Sequence, residues 1–100
     1  RLDLSKNKIS KIEGLGVLIH LTQLSLEDNE IETLAPLSET VSLMEIYLAN
    51  NKVADHKTLL HLKPLTKLII LDLHGNPTTS YSDYRLFTVF HLKRLKVLDG

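Results

Sequence analysis

The sequence predicts an α/β solenoid. Short parallel strands stack on a concave face, helical or 3-10 segments run along the convex side, and a capping helix closes the C-terminal end. Three observations carry that prediction. Asn7, Asn29, Asn51 and Asn76 recur at spacings of 22, 22 and 25 residues. Each is preceded, at the same two offsets, by an apolar pair: Leu2/Leu4, Leu24/Leu26, Ile46/Leu48 and Leu71/Leu73. Both phenylalanines, Phe87 and Phe90, and two of the three tyrosines, Tyr81 and Tyr84, fall in one C-terminal stretch, away from the repeats.

The apolar pairs alternate with period two over a run too short for a helix, so they read as strands with one face turned inward. Stacking the units side by side makes a parallel sheet whose interior is filled by those pairs. Leu95-Lys96-Val97-Leu98-Asp99 begins a fifth unit. Each asparagine sits where the chain turns inward after its strand. Its amide offers two donors and an acceptor to backbone groups that need buried partners, so Asn7, Asn29, Asn51 and Asn76 are expected to form a structural ladder.

The aliphatic series continues on the convex side with Ile9, Ile12 and Leu15, then Ile31, Leu34 and Leu37. The third unit is three residues longer, close to one helical turn. There Asp55 is expected to cap a short helix reaching Leu62, with Leu59, Leu60 and Leu62 facing inward and Pro64 helping to end it.

Four units in register carry the L-x-x-L-x-L-x-x-N pattern of leucine-rich repeats. Segments such as Ile9-Ser10-Lys11-Ile12-Glu13-Gly14-Leu15 make the chain resemble the phosphatase-1 regulatory-subunit class of that family. The stretch from Asn76-Pro77 through Tyr84-Arg85-Leu86-Phe87 to Leu98-Asp99-Gly100 resembles the motif that caps this class, with Lys93 where the family usually has proline. The run Tyr84–Leu92 is also similar to the cap of a long multi-repeat member. The resemblance spans the whole chain and implies a non-catalytic scaffold that binds protein. Members include phosphatase regulators, a spliceosomal ribonucleoprotein component and axonemal proteins of cilia.

The chain is accordingly organised as leucine-rich repeats over residues 1–76 and the cap over 77–100. The open end of a solenoid exposes a sheet edge and an apolar layer, so a lid is physically required. Tyr84, Phe87 and Phe90, at three-residue steps with Leu86 and Val89 beside them, are expected to be its core-facing side. The other end has no comparable lid, and Arg1 stands one residue before a strand leucine. The chain therefore reads as part of a longer solenoid, marginally stable at that end.

Strand register also assigns the outward residues that would line the concave face. These are Arg1, Asp3, Ser5 and Lys6; Gln23, Ser25, Glu27 and Asp28; Glu45, Tyr47, Ala49 and Asn50; Ile70, Asp72, His74 and Gly75; then Val97 and Asp99. Six are acidic and two are basic, although the whole chain balances 12 Lys plus Arg against 12 Asp plus Glu. An acidic concavity with Tyr47 at its middle suits a protein partner with a basic surface. The candidate binding residues are Asp3, Gln23, Ser25, Glu27, Asp28, Glu45, Tyr47, Asn50, Ile70, Asp72 and His74. Arg85, Lys93, Arg94 and Lys96 form a second, basic group near the end.

Net neutrality gives no reason to expect nucleic acid or an anionic membrane as a general partner. No apolar run is long enough to span a bilayer. The chain has no cysteine and no N-glycosylation acceptor, because Pro77 blocks Asn76-Pro77-Thr78. Both facts point to a reducing, intracellular compartment: cytoplasm, nucleus or cilium. The histidines have neither metal-ligand spacing nor a nucleophile beside them, so neither catalysis nor a cofactor is expected. Two other readings stand beside the scaffold: a structural spacer within a larger protein, and a component of an RNA–protein complex using the terminal basic group.

Overall fold

A computed structural model describes all of residues 1–100. Five short strands, β1 (Leu2–Asp3), β2 (Gln23–Ser25), β3 (Glu45–Tyr47), β4 (Ile70–Asp72) and β5 (Val97–Leu98), form one parallel sheet in chain order. 3-10 helices at Leu15–Val17, Ala35–Glu39, His56–Leu62 and Pro77–Ser80 occupy the segments between strands, and helix α1 (Tyr84–His91) precedes β5. This is the α/β solenoid that the repeat predicts.

Register explains the core. Leu2, Leu24, Ile46, Leu71 and Leu98 pair across the sheet in one row. Leu24, Ile46 and Leu71 in that row are fully buried, as are Leu26, Leu48 and Leu73 two residues further on. Each full burial of such a side chain is worth about 1.5–3 kcal/mol. On the convex side Ile31, Leu34, Leu37, Val53, Leu59 and Leu62 close the same layers. No strand stacks on the outer edge of β1, so Leu2, Leu4 and Ile9 are only partly buried.

The asparagines stitch each repeat to the one before it. Asn51 donates through Nδ2 to the carbonyls of Leu26 (2.9 Å) and Leu48 (3.0 Å), and its Oδ1 accepts from the Ile31 N–H (3.0 Å). Asn29 and Asn76 repeat the pattern, with Oδ1 accepting from Ile9 and Val53 respectively. The side chains bond backbone rather than one another. Asn7 is exposed and reaches only carbonyls of its own repeat, Leu4 and Ser5. Immediately before each asparagine the chain turns through a left-handed residue: Lys6, Asp28, Asn50 and Gly75 have φ of 59°, 58°, 60° and 78°.

Two expectations about the convex side and the cap need correction. Asp55 does cap the third segment, accepting from the Lys57 N–H at 2.9 Å, but the helix is 3-10 throughout. With about three residues per turn, Leu59 and Leu62 eclipse on the inner side and Leu60 is turned out, 37% exposed. Thr58 goes inward instead, its Oγ1 accepting from the Leu34 N–H at 3.0 Å.

In α1 the buried positions are Tyr84 and Thr88, continued by Leu92, with Phe87 half-buried. Leu86, Val89 and Phe90 face solvent at 69%, 42% and 63% exposure. The physical reason is helical pitch. At about 100° per residue, three-residue steps slip by about 60° each, so a stripe that begins inward at Tyr84 has rotated outward by Phe90. Four-residue steps stay closer to the core-facing side. The turn after α1 closes without the family's proline, through the Leu95 N–H to the Leu92 carbonyl at 3.2 Å.

Candidate binding face

Outward side chains of the strands lie in two cross-strand rows. One runs Gln23, Glu45, Ile70, Val97, and the next runs Asp3, Ser25, Tyr47, Asp72. Glu27 and His74 come after their strands on the same side, the backbone continuing the stack through Asp28 N–H to Ala49 carbonyl and Asn50 N–H to His74 carbonyl. Parallel pairing in register therefore draws residues far apart in sequence onto a single surface.

Tyr47 stands at the centre of that surface. Its hydroxyl donates to Glu45 Oε1, and this bond raises the phenol above the ordinary tyrosine range. Desolvation and the nearby carboxylates of Glu45, Glu27 and Asp72 push it the same way. Glu45 thus bonds the hydroxyl directly, while Asp72 is the cross-strand neighbour of Tyr47. Glu27 Oε1 is shielded from solvent and has no hydrogen-bond partner. None of these acids is paired with a cation, since the one ion pair of the chain joins Lys11 and Glu13, 3.9 Å apart on the surface.

Other candidates are partly committed to local structure. Asp3 Oδ1 accepts from the Ser5 N–H (3.0 Å) and hydroxyl (2.7 Å). The backbone bond and then the hydroxyl bond hold that carboxyl below its usual range. Asp72 Oδ1 accepts from the His74 N–H at 3.0 Å, and Asn50 Nδ2 donates to Asp28 Oδ1 at 3.0 Å. Gln23 and Ile70 are half-buried; Asp28, Asn50 and His74 are exposed.

Two outward positions do not contribute as expected. Ser25 is only 5% exposed, because the shortest side chain of its row sits between Asp3 and Tyr47. Asp99 turns back onto the sheet, its Oδ1 accepting from the Leu73 N–H and its Oδ2 from the Tyr84 hydroxyl. The basic group is divided as well, since Arg85 Nη1 donates to the Leu98 carbonyl at 3.3 Å and so belongs to the cap. The orphaned oxygen of Glu27 has no signature in sequence, because alternation gives side-chain direction but not the depth at which an oxygen comes to rest.

Elsewhere, His56 stacks on Tyr81 with ring centres 4.2 Å apart and meets Phe87 edge-on at 4.8 Å. No group of three His, Cys, Asp or Glu side chains is placed to hold a metal ion. No helix is long and apolar enough to cross a membrane.

A family profile described as leucine-rich repeat matches residues 1–100. The chain belongs to the leucine-rich repeat family. Leucine-rich repeat-containing protein 23 of Bos taurus is 45% identical over 98 residues, covering 94% of this chain and 29% of the relative. The U2 small nuclear ribonucleoprotein A′ of Homo sapiens is 31% identical over 100 residues, covering 98% of this chain and 39% of the relative. Among solved structures, a chain of the Drosophila melanogaster SNF/U2A′ complex superposes with a TM-score of 0.90 at 31% identity, covering 97% of this chain and 57% of that one.

This leucine-rich repeat chain thus spans about a third of the length of the two curated relatives. Neither relative is a phosphatase-1 regulatory subunit. Neither is leucine-rich repeat-containing protein 9, the long multi-repeat member expected from the run Tyr84–Leu92.

Proposed function

We propose that the chain is a non-catalytic protein-interaction scaffold whose concave face binds a partner with a basic surface. The observation that carries this reading is that Glu45 holds the Tyr47 hydroxyl and Asp72 pairs beside Tyr47 in the sheet, with Glu27 on the same face and no cation of the chain paired to any of them. A partner's lysine or arginine would form charge-assisted bonds with carboxylates that no cation of the chain occupies. The surrounding negative potential would speed encounter with such a partner and would weaken with salt. Tyr47 supplies the rigid amphipathic contact typical of interface hot spots.

Glu27→Lys combined with Asp72→Lys tests the reading by affinity purification, with circular dichroism as the check on folding. Loss of the proteins recovered by the wild-type chain, with the fold intact, is the expected result. Undiminished recovery would leave the concave face without a role and favour the structural-spacer reading.

One observation favours a second reading, membership of an RNA–protein complex. The U2 small nuclear ribonucleoprotein A′ relatives match nearly the whole chain, and a structural neighbour comes from the SNF/U2A′ complex. On this reading the concave face takes a protein, and RNA is held jointly by that protein and the terminal basic residues Lys93, Arg94 and Lys96, neither sufficing alone. RNA that co-purifies with the wild-type chain and disappears in the charge-reversed pair is then expected. RNA retained after the protein partner is lost would count against it.

A further inference from the structure

On the edge of the solenoid, away from the concave sheet, a cleft of about 340 Å³ opens between residues 62–68 and 90–94. Its floor is the rim of the core, formed by Leu62, Leu65, Leu68 and Leu92, each at most 7% exposed. One wall is Phe90, a large aromatic left 63% exposed by the rotation of α1. Lys63, Lys93 and Arg94 also line the cleft, and no carboxylate does. None of these cations has an ion-pair partner; Lys93 Nζ lies over the Phe90 ring, 5.5 Å from its centre.

We propose that this cleft seats an acidic peptide segment that inserts one large apolar side chain between Phe90 and the leucine floor. Charge decides the class of occupant. The edge is cationic where the concave face is anionic, so the two surfaces select partners of opposite sign. An apolar floor ringed by a few convergent charges is the ordinary form of a site that anchors one side chain and orients the flanking peptide. Lys93, resting on Phe90 in the free protein, is placed to turn to an incoming carboxylate. A single-stranded nucleic acid fits less well. It needs successive aromatic faces for its bases, whereas the cleft offers one ring above an aliphatic floor.

The test uses the chain of residues 1–100 and a fluorescein-labelled peptide of glutamates flanking a central leucine–phenylalanine pair, with fluorescence anisotropy as the readout. Saturable binding that weakens as salt is raised is expected. It should fall about tenfold or more in Phe90→Ser and in Lys93→Glu combined with Arg94→Glu. These side chains are exposed, so circular dichroism should remain that of the wild type. The concave variant Glu27→Lys with Asp72→Lys should bind the peptide as the wild type does, which separates this proposal from the reading of the concave face. Absence of saturable binding overturns the proposal, as does equal binding by the edge variants. Tighter binding of single-stranded oligouridine through the same residues also overturns it.

Discussion

The Tyr84 hydroxyl donates to Asp99 Oδ2 at 2.7 Å while Asp99 Oδ1 accepts from the Leu73 N–H at 2.6 Å. One carboxylate therefore ties the cap helix to the end of β4, across the last layer of the solenoid. Asp99 has a left-handed backbone, φ 58°, and does not follow the outward course that simple alternation assigns to it. Tyr84→Phe removes this charge-assisted bond and leaves the ring in place. A loss of about 1–2 kcal/mol is expected, visible as a downward shift of several degrees in thermal unfolding. An unchanged melting temperature would mean that the cap is held by packing alone.

The same pair has a consequence at high pH. Burial, and then the bond to Asp99, raise the Tyr84 phenol far above its ordinary value of 10.0. In alkali the unfolded chain releases this proton while the folded chain keeps it, so the native state binds more protons and stability falls as pH rises. This contribution is complete below pH 10 and is lost progressively above it. Urea midpoints measured from pH 9 upward should decline less steeply in Tyr84→Phe than in the wild type. Parallel curves would show that the phenol titrates alike in both states.

The asparagines make unequal contributions that burial and partners can rank. Asn51→Ala leaves the buried Ile31 N–H without an acceptor and removes one of two donors from each of the Leu26 and Leu48 carbonyls, which keep Asn29 Nδ2 and Asn76 Nδ2. One buried unpaired N–H at about 1–3 kcal/mol, together with the two lost side-chain bonds, should cost about 2–4 kcal/mol. Asn7→Ala removes bonds only to the Leu4 and Ser5 carbonyls of its own exposed repeat, the first of which keeps Asn29 Nδ2, and should cost less than about 1 kcal/mol. Urea denaturation of the two variants side by side measures the difference. Similar losses would remove the distinction between stitching repeats together and closing one turn.

Gly75 occupies the left-handed position that Lys6, Asp28 and Asn50 fill in other repeats, so an L residue is sterically possible there at some strain. What sets Gly75 apart is its neighbour: a Cβ would come within 2.2 Å of Asn50 Oδ1. Gly75→Ala is expected to cost about 1–2 kcal/mol from backbone strain, with a further part from displacing Asn50 off Asp28. Adding Asn50→Ala should recover that second part and leave the first. Strict additivity of the two substitutions would rule the clash out.

Much of this architecture was legible because the asparagine and leucine spacing encodes side-chain direction, and direction fixes register. The strand positions, the order of the sheet and the row placing Tyr47 between Ser25 and Asp72 all come from it. What escaped depends on rotation and depth. Leu60 points outward because the inserted segment winds as a 3-10 helix, a choice that a string of apolar residues does not express. Ser25 lies in the outward row yet is covered, because neighbouring side chains differ in length. Asp99 sits at an outward position but is captured by two buried donors. The edge cleft was invisible for a related reason. Its wall exists only because α1 turns Phe90 away from the core, while Lys63, Lys93 and Arg94 come from two stretches about thirty residues apart that the fold brings together.

The orientation of α1 is itself open to a direct test through its two phenylalanines. Phe87 is half-buried, packed against the core and placed between His56, with ring centres 4.8 Å apart, and His91, at 4.6 Å. Phe90 is 63% exposed and touches His91 and Lys93 from the solvent side. Truncating a packed aromatic costs a few kcal/mol, whereas an exposed one is removed almost without effect. Phe87→Ala should therefore destabilise the chain by about 2–3 kcal/mol, and Phe90→Ala by less than about 0.5 kcal/mol. If chemical denaturation ranked the two the other way, the helix would be rotated to present the three-residue stripe to the core. The edge cleft would then lose its wall.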